Sequence, residues 1–290
     1  GFSMIGQTGE IAPADKKLYA LRDVTGTVAS IPLITASIMC KKMAEGIDSL
    51  VLDVKWGTGA FMRTIEDATA LAQSMVRVGK AMNKGMVALL TDMNQPLGRT
   101  AGNALEIIES MECLQGRHAG EDLMHITLAL TAEMLVLGKK AATTEEARGI
   151  LEQIIASGAA FAKFKEMAAL QGADVSALDD LSKLPQASIV RPYPAPAAGF
   201  LAKVDAEAIG RAVLVLGGGR QKTDDVIDYG VGTSGLAKIG DRVEKGQPLV
   251  TLHANSEEKL AQAMAYVEKA FDIADAPVHP PKPIVARITG

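Results

Sequence analysis

Three polar residues near the start of the chain have the types and the spacing of a small ligand site. Ser37 and Lys41 are four residues apart, so in a helix their side chains leave the same face about one turn apart. Arg22, on a helix predicted before this one, can converge with them. Because the rest of that helix face is apolar, a hydroxyl and an ammonium there need polar partners.

Two interpretations of this group stay open from the residues alone. In the first, Lys41 forms a structural salt bridge, and the spacing by itself favours this because lysines usually extend their charged end to an acidic partner or to water. In the second, Arg22, Ser37 and Lys41 together bind a ligand that presents carbonyl acceptors and an N–H donor, such as a pyrimidine base.

Two helices must position these side chains. Leu18, Leu21 and Arg22 share one helical face, which predicts a short helix. Pro13 and Asp15 precede this face and mark the start of the helix.

The second helix is predicted over residues 31–45. Ser30 is a typical N-cap residue, and Pro32 falls in the first turn, where its missing N–H costs nothing. Gly46 follows the last turn as a stop signal. This helix carries both Ser37 and Lys41.

Two buried strand patterns flank a third helix. Residues 50–55 and 86–90 are short apolar runs, and residues 65–83 have helical periodicity. A strand, a helix and a strand in this order predict a right-handed crossover in a parallel sheet. The stretch 101–171 is predicted to be helical almost throughout, so the chain has the signature of an α/β fold.

Glycine-rich stretches give only weak evidence of a ligand loop. Gly57-Thr58-Gly59 follows the strand that bears Asp53 and Lys55, where α/β proteins place ligand-contacting loops. The chain has neither a GxGxxG motif with an acidic residue at the usual distance nor GxxxxGK[ST], so dinucleotide and P-loop sites are not predicted. For Gly217-Gly218-Gly219-Arg220 two interpretations stay open, a phosphate contact and, favoured, a helix end followed by a flexible turn.

The amino-acid composition of the chain changes near residues 184–196. Four prolines fall close together there and predict an extended linker or an edge strand. A helix over 206–216, several short strands, and a final helix to about residue 274, capped by Asn255 or Ser256, follow. We therefore expect a compact β-rich module after the prolines.

Composition excludes several classes of protein. The 290 residues carry 30 Lys and Arg against 34 Asp and Glu, a net charge of -4, and 48% are hydrophobic, which is enough for a real core. Without a run of like charges or ~20 consecutive apolar residues, neither a nucleic-acid partner nor a membrane is predicted. The two cysteines fit a reducing cytoplasm. The four histidines lack zinc-ligand spacing, and no GxSxG motif occurs.

Long stretches of the chain resemble one family. The segment APADKKLYALRDVTGTVASIPLITASIMCKKMAEGIDSLVLDVKWGTGAFM closely resembles the pyrimidine nucleoside phosphorylases, which include thymidine phosphorylase. LLTDMNQPLGRTAGNALEIIES, VLGGGRQKTDDVIDYGVG and GDRVEKGQPLVTLHA continue the resemblance over essentially all 290 residues. Motifs of this length are highly specific.

Together with this resemblance, the predicted elements indicate an α/β fold with four parts. Residues 1–12 are the end of a sheet segment, and residues 13–47 are part of a small all-α dimerisation domain. Residues 48–185 form a large mixed-sheet α/β domain. Residues 186–290 form a C-terminal α+β module of the hammerhead or barrel-sandwich type.

The resemblance also implies a reaction and a base-binding site. Family members are pentosyltransferases that reversibly convert a pyrimidine nucleoside and phosphate to the free base and (2-deoxy)-α-D-ribose 1-phosphate. Thymidine is the expected nucleoside, with uridine as a second one. Arg22 and Lys41 are then expected to hydrogen-bond base carbonyl oxygens, and Ser37 the ring N3 position.

Further expectations come from the same resemblance. A cytoplasmic homodimer acting in nucleoside salvage is implied, with phosphate as co-substrate and no other required cofactor. A potassium ion is implied at the carbonyls of Leu97 and Thr100 and the carboxylate of Glu109. The family's phosphate-binding segment, rich in Lys, His, Ser and Gly, is not found in residues 1–290, nor is the histidine proposed to protonate the base. We therefore expect a C-terminal fragment that is inactive alone.

Two other functions are kept as alternatives. The first is an enzyme of the anthranilate-phosphoribosyltransferase type, which shares the sheet-plus-helical-domain plan but for which the module after residue 185 is not expected. The second is a non-catalytic carrier or interaction module. Residues 238–249, KIGDRVEKGQPL, have the strand-turn-strand pattern of biotinyl and lipoyl domains, but the modifiable lysine context is absent. We therefore expect this stretch to be a structural hairpin.

Overall fold

The structure, a computed structural model, describes residues 1–4, 6, 10–118, 120–222 and 224–290. These residues group into two compact units. The first unit comprises Gly1–Asp92, Ile126–Gln153 and Pro283–Gly290, and the second comprises Met93–His125 and Ile154–Lys282.

The described residues contain both helices and strands, and a strand-helix-strand order is followed by a run of five α-helices. The helices are α1 (Pro13–Thr25), α2 (Ile31–Ala44), α3 (Ile65–Ala81), α4 (Asn103–Leu114), α5 (Asp122–Leu137), α6 (Thr144–Ala156), α7 (Ala159–Leu170), α8 (Ser176–Asp179), α9 (Ala206–Val213) and α10 (Glu257–Val267). The strands are β1 (Ser49–Trp56), β2 (Gly85–Asp92), β3 (Ile189–Pro194), β4 (Gly199–Val204), β5 (Gly232–Ser234), β6 (Arg242–Val243), β7 (Pro248–Ala254), β8 (Phe271–Ala274) and β9 (Ile284–Thr289). The largely helical stretch 101–171 is confirmed.

The sheet of the first unit confirms the predicted parallel pair of strands with a helix between them. β1 and β2 are parallel, with Ser49 opposite Gly85 and Trp56 opposite Asp92, and α3 lies between them in the chain. β9 runs antiparallel to β2, so the sheet is mixed and has the order β1-β2-β9. Its core is built from apolar side chains of α2, α3, β1 and β2, with Met62: Met39, Val54, Met62, Ala68, Leu71, Ala72, Met75, Val76, Met86, Ala88 and Leu90.

α1 and α2 form where they were predicted, with two corrections. α2 ends within a residue of the predicted position, but the Ser30 side chain makes no cap hydrogen bond. α1 begins at Pro13, so Asp15 lies in its first turn and not before it. Proline leaves no unpaired N–H at a helix start, and an acidic side chain in the first turn is stabilised by the helix dipole, which explains the longer helix.

The second unit contains two three-stranded antiparallel sheets, β3-β7-β5 and β6-β4-β8. The proline-rich segment forms β3 at the edge of the first of them, as predicted. α9 is followed by a π-helical turn, Leu214–Gly218, which ends at the glycine triplet, as predicted. The buried core of this unit includes Leu201, Val204, Ile209, Leu216, Leu236, Leu249, Leu252, Leu260 and Val267.

The predicted hairpin at residues 238–249 is wrong. The turn is present, since the Gln247 N–H donates to the Glu244 carbonyl, but the strands on either side belong to different sheets. β7 has β3 on one edge and β5 on the other, so β6 has no free edge of β7 to pair with and joins β4 instead.

The predicted extent of the last helix is also wrong. α10 begins after Ser256, whose hydroxyl accepts from the Lys259 N–H as a cap, but it ends at Val267 and not near residue 274. Phe271 and Ile273 alternate with polar or small residues, and a period of two favours a strand. These residues form β8, which pairs with β4.

Candidate functional site

Ser37, Lys41 and Asp15 form one hydrogen-bonded group in the first unit. The Lys41 Nζ donates to Ser37 Oγ at 3.2 Å and to Asp15 Oδ2 at 3.0 Å. Ser37 and Asp15 are 6% and 7% exposed, whereas the Lys41 side chain is 25% exposed. The structure therefore contains the salt bridge of the first interpretation together with the polar pair that the second requires.

α2 presents this group because its opposite side is anchored on α3. The Thr35 hydroxyl donates to Ser74 Oγ of α3 at 3.0 Å, and Met39, one turn later, is 2% exposed in the core. Ser37 and Lys41 lie two residues further along the helix than Thr35 and Met39, and hence on another face. Asp15, in the first turn of α1, supplies the counter-charge.

Arg22 is buried but uses its terminal nitrogens elsewhere. It is 5% exposed, and these nitrogens donate to the carbonyls of Val28 and of Leu33, the latter at 3.4 Å. Its guanidinium also lies over the Tyr19 ring, 5.1 Å from the ring centre. Arg22 thus ties the turn between α1 and α2 to its own helix.

One donor of Arg22 is left open. Its buried Nε has no hydrogen-bond partner in the part of the chain that the structure describes. The hydrogen bonds described above join its other two nitrogens to Val28 and Leu33, and not to Ser37 or Lys41. The structure therefore brings Ser37 and Lys41 together and leaves Arg22 hydrogen-bonded to the backbone.

A second polar group lies at the end of β1 and β2. The Lys55 Nζ lies 2.6 Å from Asp53 Oδ2 and donates to Thr91 Oγ1 at 3.1 Å, and Thr91 in turn donates to Asp53. The sequence pattern placed Asp53 and Lys55 on the strand before a candidate ligand loop, but it did not identify Thr91. The available signal was the parallel pairing itself, since Lys55 and Thr91 are register partners.

Asp15 also belongs to the site, because it is the carboxylate partner of Lys41. In the sequence it marks only the start of a helix. The signal that could have found it is the expected salt bridge of Lys41, which needs a carboxylate on a neighbouring helix.

The second unit holds a buried lysine against a loop. Lys238 is 8% exposed, and its Nζ donates to the carbonyls of Pro96 and Leu97, the latter at 3.0 Å. Burial lowers the pKa of Lys238, while the Asp122 carboxylate, 3.4 Å away, acts in the opposite direction.

The residues implied for potassium do not fit a free metal site. The Glu109 carboxylate is 6% exposed and accepts from the Arg99 N–H at 2.6 Å and from the Thr100 hydroxyl at 2.7 Å. The Leu97 carbonyl already accepts from the Lys238 ammonium. Among the described residues, no three or more His, Cys, Asp or Glu side chains are grouped to hold a metal ion.

Comparison with known families defines the class of protein and then its branch. Residues 1–161, more than half of the chain, match the family model described as "Glycosyl transferase family, a/b domain". This match places the chain in the glycosyl transferase family defined by that α/β domain. Residues 200–274 match "Pyrimidine nucleoside phosphorylase C-terminal domain". The chain therefore belongs to the pyrimidine nucleoside phosphorylase family within that class.

Two relatives carry the name pyrimidine-nucleoside phosphorylase. The protein from Bacillus subtilis (strain 168) is 52% identical over 255 residues, which are 88% of this chain and 59% of the relative. The protein from Staphylococcus aureus (strain USA300) is 48% identical over 278 residues, 96% of this chain and 64% of the relative. The chain thus spans between 59% and 64% of the length of these relatives.

The second family match also bears on the alternatives. A C-terminal module of the phosphorylase type is not expected in an enzyme like anthranilate phosphoribosyltransferase, so the phosphorylase interpretation is favoured.

Within the residues that the structure covers, every helix is too short or too polar to span a bilayer.

Proposed function

We propose that this chain supplies the base-binding part of a pyrimidine nucleoside phosphorylase, which transfers the pentosyl group of thymidine or uridine to phosphate. The observation that carries the proposal is the hydrogen-bonded pair of Ser37 and Lys41 on one face of α2, held by Asp15. The names of the two relatives support the same reaction.

The chemistry of phosphorolysis explains why such a pair would be useful. A phosphate oxygen bonds to C1′ of the pentose while the bond from C1′ to the base nitrogen breaks, and the electron pair of that bond leaves with the base. Negative charge therefore develops on the base carbonyl oxygens. Fixed donors, above all cationic ones, stabilise charge that appears in the transition state.

Each side chain then has a defined part in the proposed complex. The Lys41 ammonium donates to a base carbonyl oxygen, and the Ser37 hydroxyl pairs with ring N3. Arg22 donates its Nε–H, which has no partner among the described residues, to a base carbonyl oxygen. A buried N–H without an acceptor costs free energy, so the base removes that cost when it binds.

The finer properties belong to the same proposal. The active protein is a cytoplasmic homodimer in pyrimidine salvage, with phosphate as co-substrate and no other required cofactor. The domain boundaries of the chain lie at residues 12, 47 and 185. Leu18, Leu21 and Leu33 on α1 and α2 are 59%, 57% and 41% exposed, which supports burial of these helices against a second subunit.

Replacing Ser37 by alanine tests the base site directly. In the chain, Ser37→Ala should weaken the binding of thymine and of uracil about tenfold, because one hydrogen bond worth ~1.4 kcal/mol is lost. Isothermal titration calorimetry measures this, with Ser182→Ala, an exposed serine of the second unit, as the matched control. Unchanged affinity of Ser37→Ala for both bases would remove Ser37 from the site.

Catalysis is tested in a chimeric protein, which is called the joined protein below. This protein is the present chain preceded by the residues of the Bacillus subtilis relative that come before its matched region. The Bacillus subtilis relative itself serves as the positive control for the assay.

A further inference from the structure

A buried lysine of the second unit is surrounded by oxygen atoms of the kind that bind a monovalent cation. The Lys238 Nζ contacts two backbone carbonyls, those of Pro96 and Leu97, and lies 3.4 Å from Asp122 Oδ2. Lys238 is 8% exposed, so water contributes little to the solvation of this ammonium. The protein oxygens replace that water, as they do around a bound metal ion.

The backbone on both sides of this contact is fixed. The Ile239 N–H donates to Gln95 Oε1 at 2.9 Å. Arg99 and Leu236 are joined twice, because the Leu236 N–H donates to the Arg99 carbonyl and the Arg99 guanidinium donates to the Leu236 carbonyl, both at 3.0 Å. Lys238 therefore reaches a loop whose position is already set, and its three oxygen partners form a built site.

We propose that the Lys238 ammonium takes the place of a bound monovalent cation at the loop of residues 95–100. It neutralises the oxygens of Pro96, Leu97 and Asp122, and the loop therefore neither needs nor binds potassium. This inference is independent of the proposed catalytic function, since it concerns only the contacts and the ion dependence of this loop.

Electrostatics argues against a potassium ion beside the lysine. An ion bound to the Leu97 carbonyl would share that oxygen with an ammonium that is 3.0 Å from it. The potassium ion and the ammonium would then both contact the same oxygen atom. Two positive charges this close together repel strongly in a buried site, because the dielectric is lower than in water. Glu109, the only carboxylate implied for the ion, already accepts a hydrogen bond at each of its oxygens.

The ion dependence of stability tests the proposal. The unfolding midpoint of the chain is measured in potassium chloride, sodium chloride and choline chloride at one ionic strength, and should be the same in all three. Lys238→Met removes the charge with little loss of length, so its midpoint in choline chloride should fall. Potassium chloride should then restore part of this loss in the variant. Lys245→Met, an exposed lysine in the turn before β7, is the control and should show neither effect.

A direct binding measurement keeps the proposal testable if Lys238→Met does not fold. Thallium, which substitutes for potassium, is titrated into the unmodified chain and followed by thallium NMR. We expect no saturable signal that depends on Glu109. A saturable signal that potassium displaces and that Glu109→Gln abolishes would overturn it, as would a potassium-specific rise in the midpoint of the unmodified chain.

Discussion

Lys41→Met in the joined protein should lower kcat/KM for phosphorolysis of thymidine and uridine by about 10²–10³-fold, the effect of losing one preorganised donor to a developing negative charge. The same substitution should also lower the free energy of unfolding of the chain by about 1–2 kcal/mol. It does so because the ammonium that lies 3.0 Å from the buried Asp15 carboxylate is removed. Steady-state kinetics and urea unfolding measure the two effects.

A double variant separates the two roles of Lys41. Asp15→Asn together with Lys41→Met removes both charges of the ion pair, so most of the lost stability should return. The catalytic loss should stay, because the base still lacks its cationic donor. Recovery of kcat/KM in the double variant would mean that Lys41 acts only as the structural partner of Asp15.

A neighbouring lysine provides the matched control. Lys42 lies on the same helix, and its Nζ pairs with Glu45 at 3.0 Å on the surface. Exposed pairs of this kind contribute little, so Lys42→Met should change the free energy of unfolding by less than about 0.5 kcal/mol and leave kcat/KM unchanged. An equal loss in Lys41→Met and Lys42→Met would point to helix charge alone.

Gly232→Ala should destabilise the chain by about 4 kcal/mol or prevent the second unit from folding. Gly232 has φ +153°, and an added Cβ would lie 2.2 Å from the Ala101 carbonyl oxygen and 2.9 Å from the Gly102 Cα. Both contacts are with backbone. The methyl group would therefore break the bridge in which Thr233 and Ala101 exchange N–H···O bonds of 2.7 and 3.0 Å.

A second glycine gives the opposite expectation and serves as control. Gly210 lies within α9, and an added Cβ there would meet nothing within 4 Å. Gly210→Ala should raise the stability by about 0.5–1 kcal/mol, because alanine favours the helix. Urea unfolding compares the two variants, and an equally small effect of both would show that the close approach at Gly232 carries no energy.

The elements that local signals define could be predicted from the sequence. A proline in the first turn and a glycine after the last place α2 almost to the residue. Two apolar runs on either side of a helical period give the parallel pair of β1 and β2. Here the local preferences and the tertiary structure agree.

The remaining features depend on partners that lie far away in the chain. The pairing of β6 with β4 follows from the occupied edges of β7, which no local pattern reveals. Lys238 and Pro96 are 142 residues apart, and the residue types alone do not link them. In the candidate site too, only the local part could be predicted, because helical spacing placed Ser37 and Lys41 on one face. The contact with Asp15 and the backbone partners of Arg22 became known only from the structure.

The most direct test of the account is the release of free base from nucleoside by the joined protein, followed by ultraviolet absorbance. Thymidine and uridine are each tested with and without phosphate, beside the Bacillus subtilis relative and the Lys41→Met variant. We expect base release that requires phosphate and that falls in the variant. Failure of the folded joined protein to release base where the relative does, or release that is the same without phosphate, would contradict it.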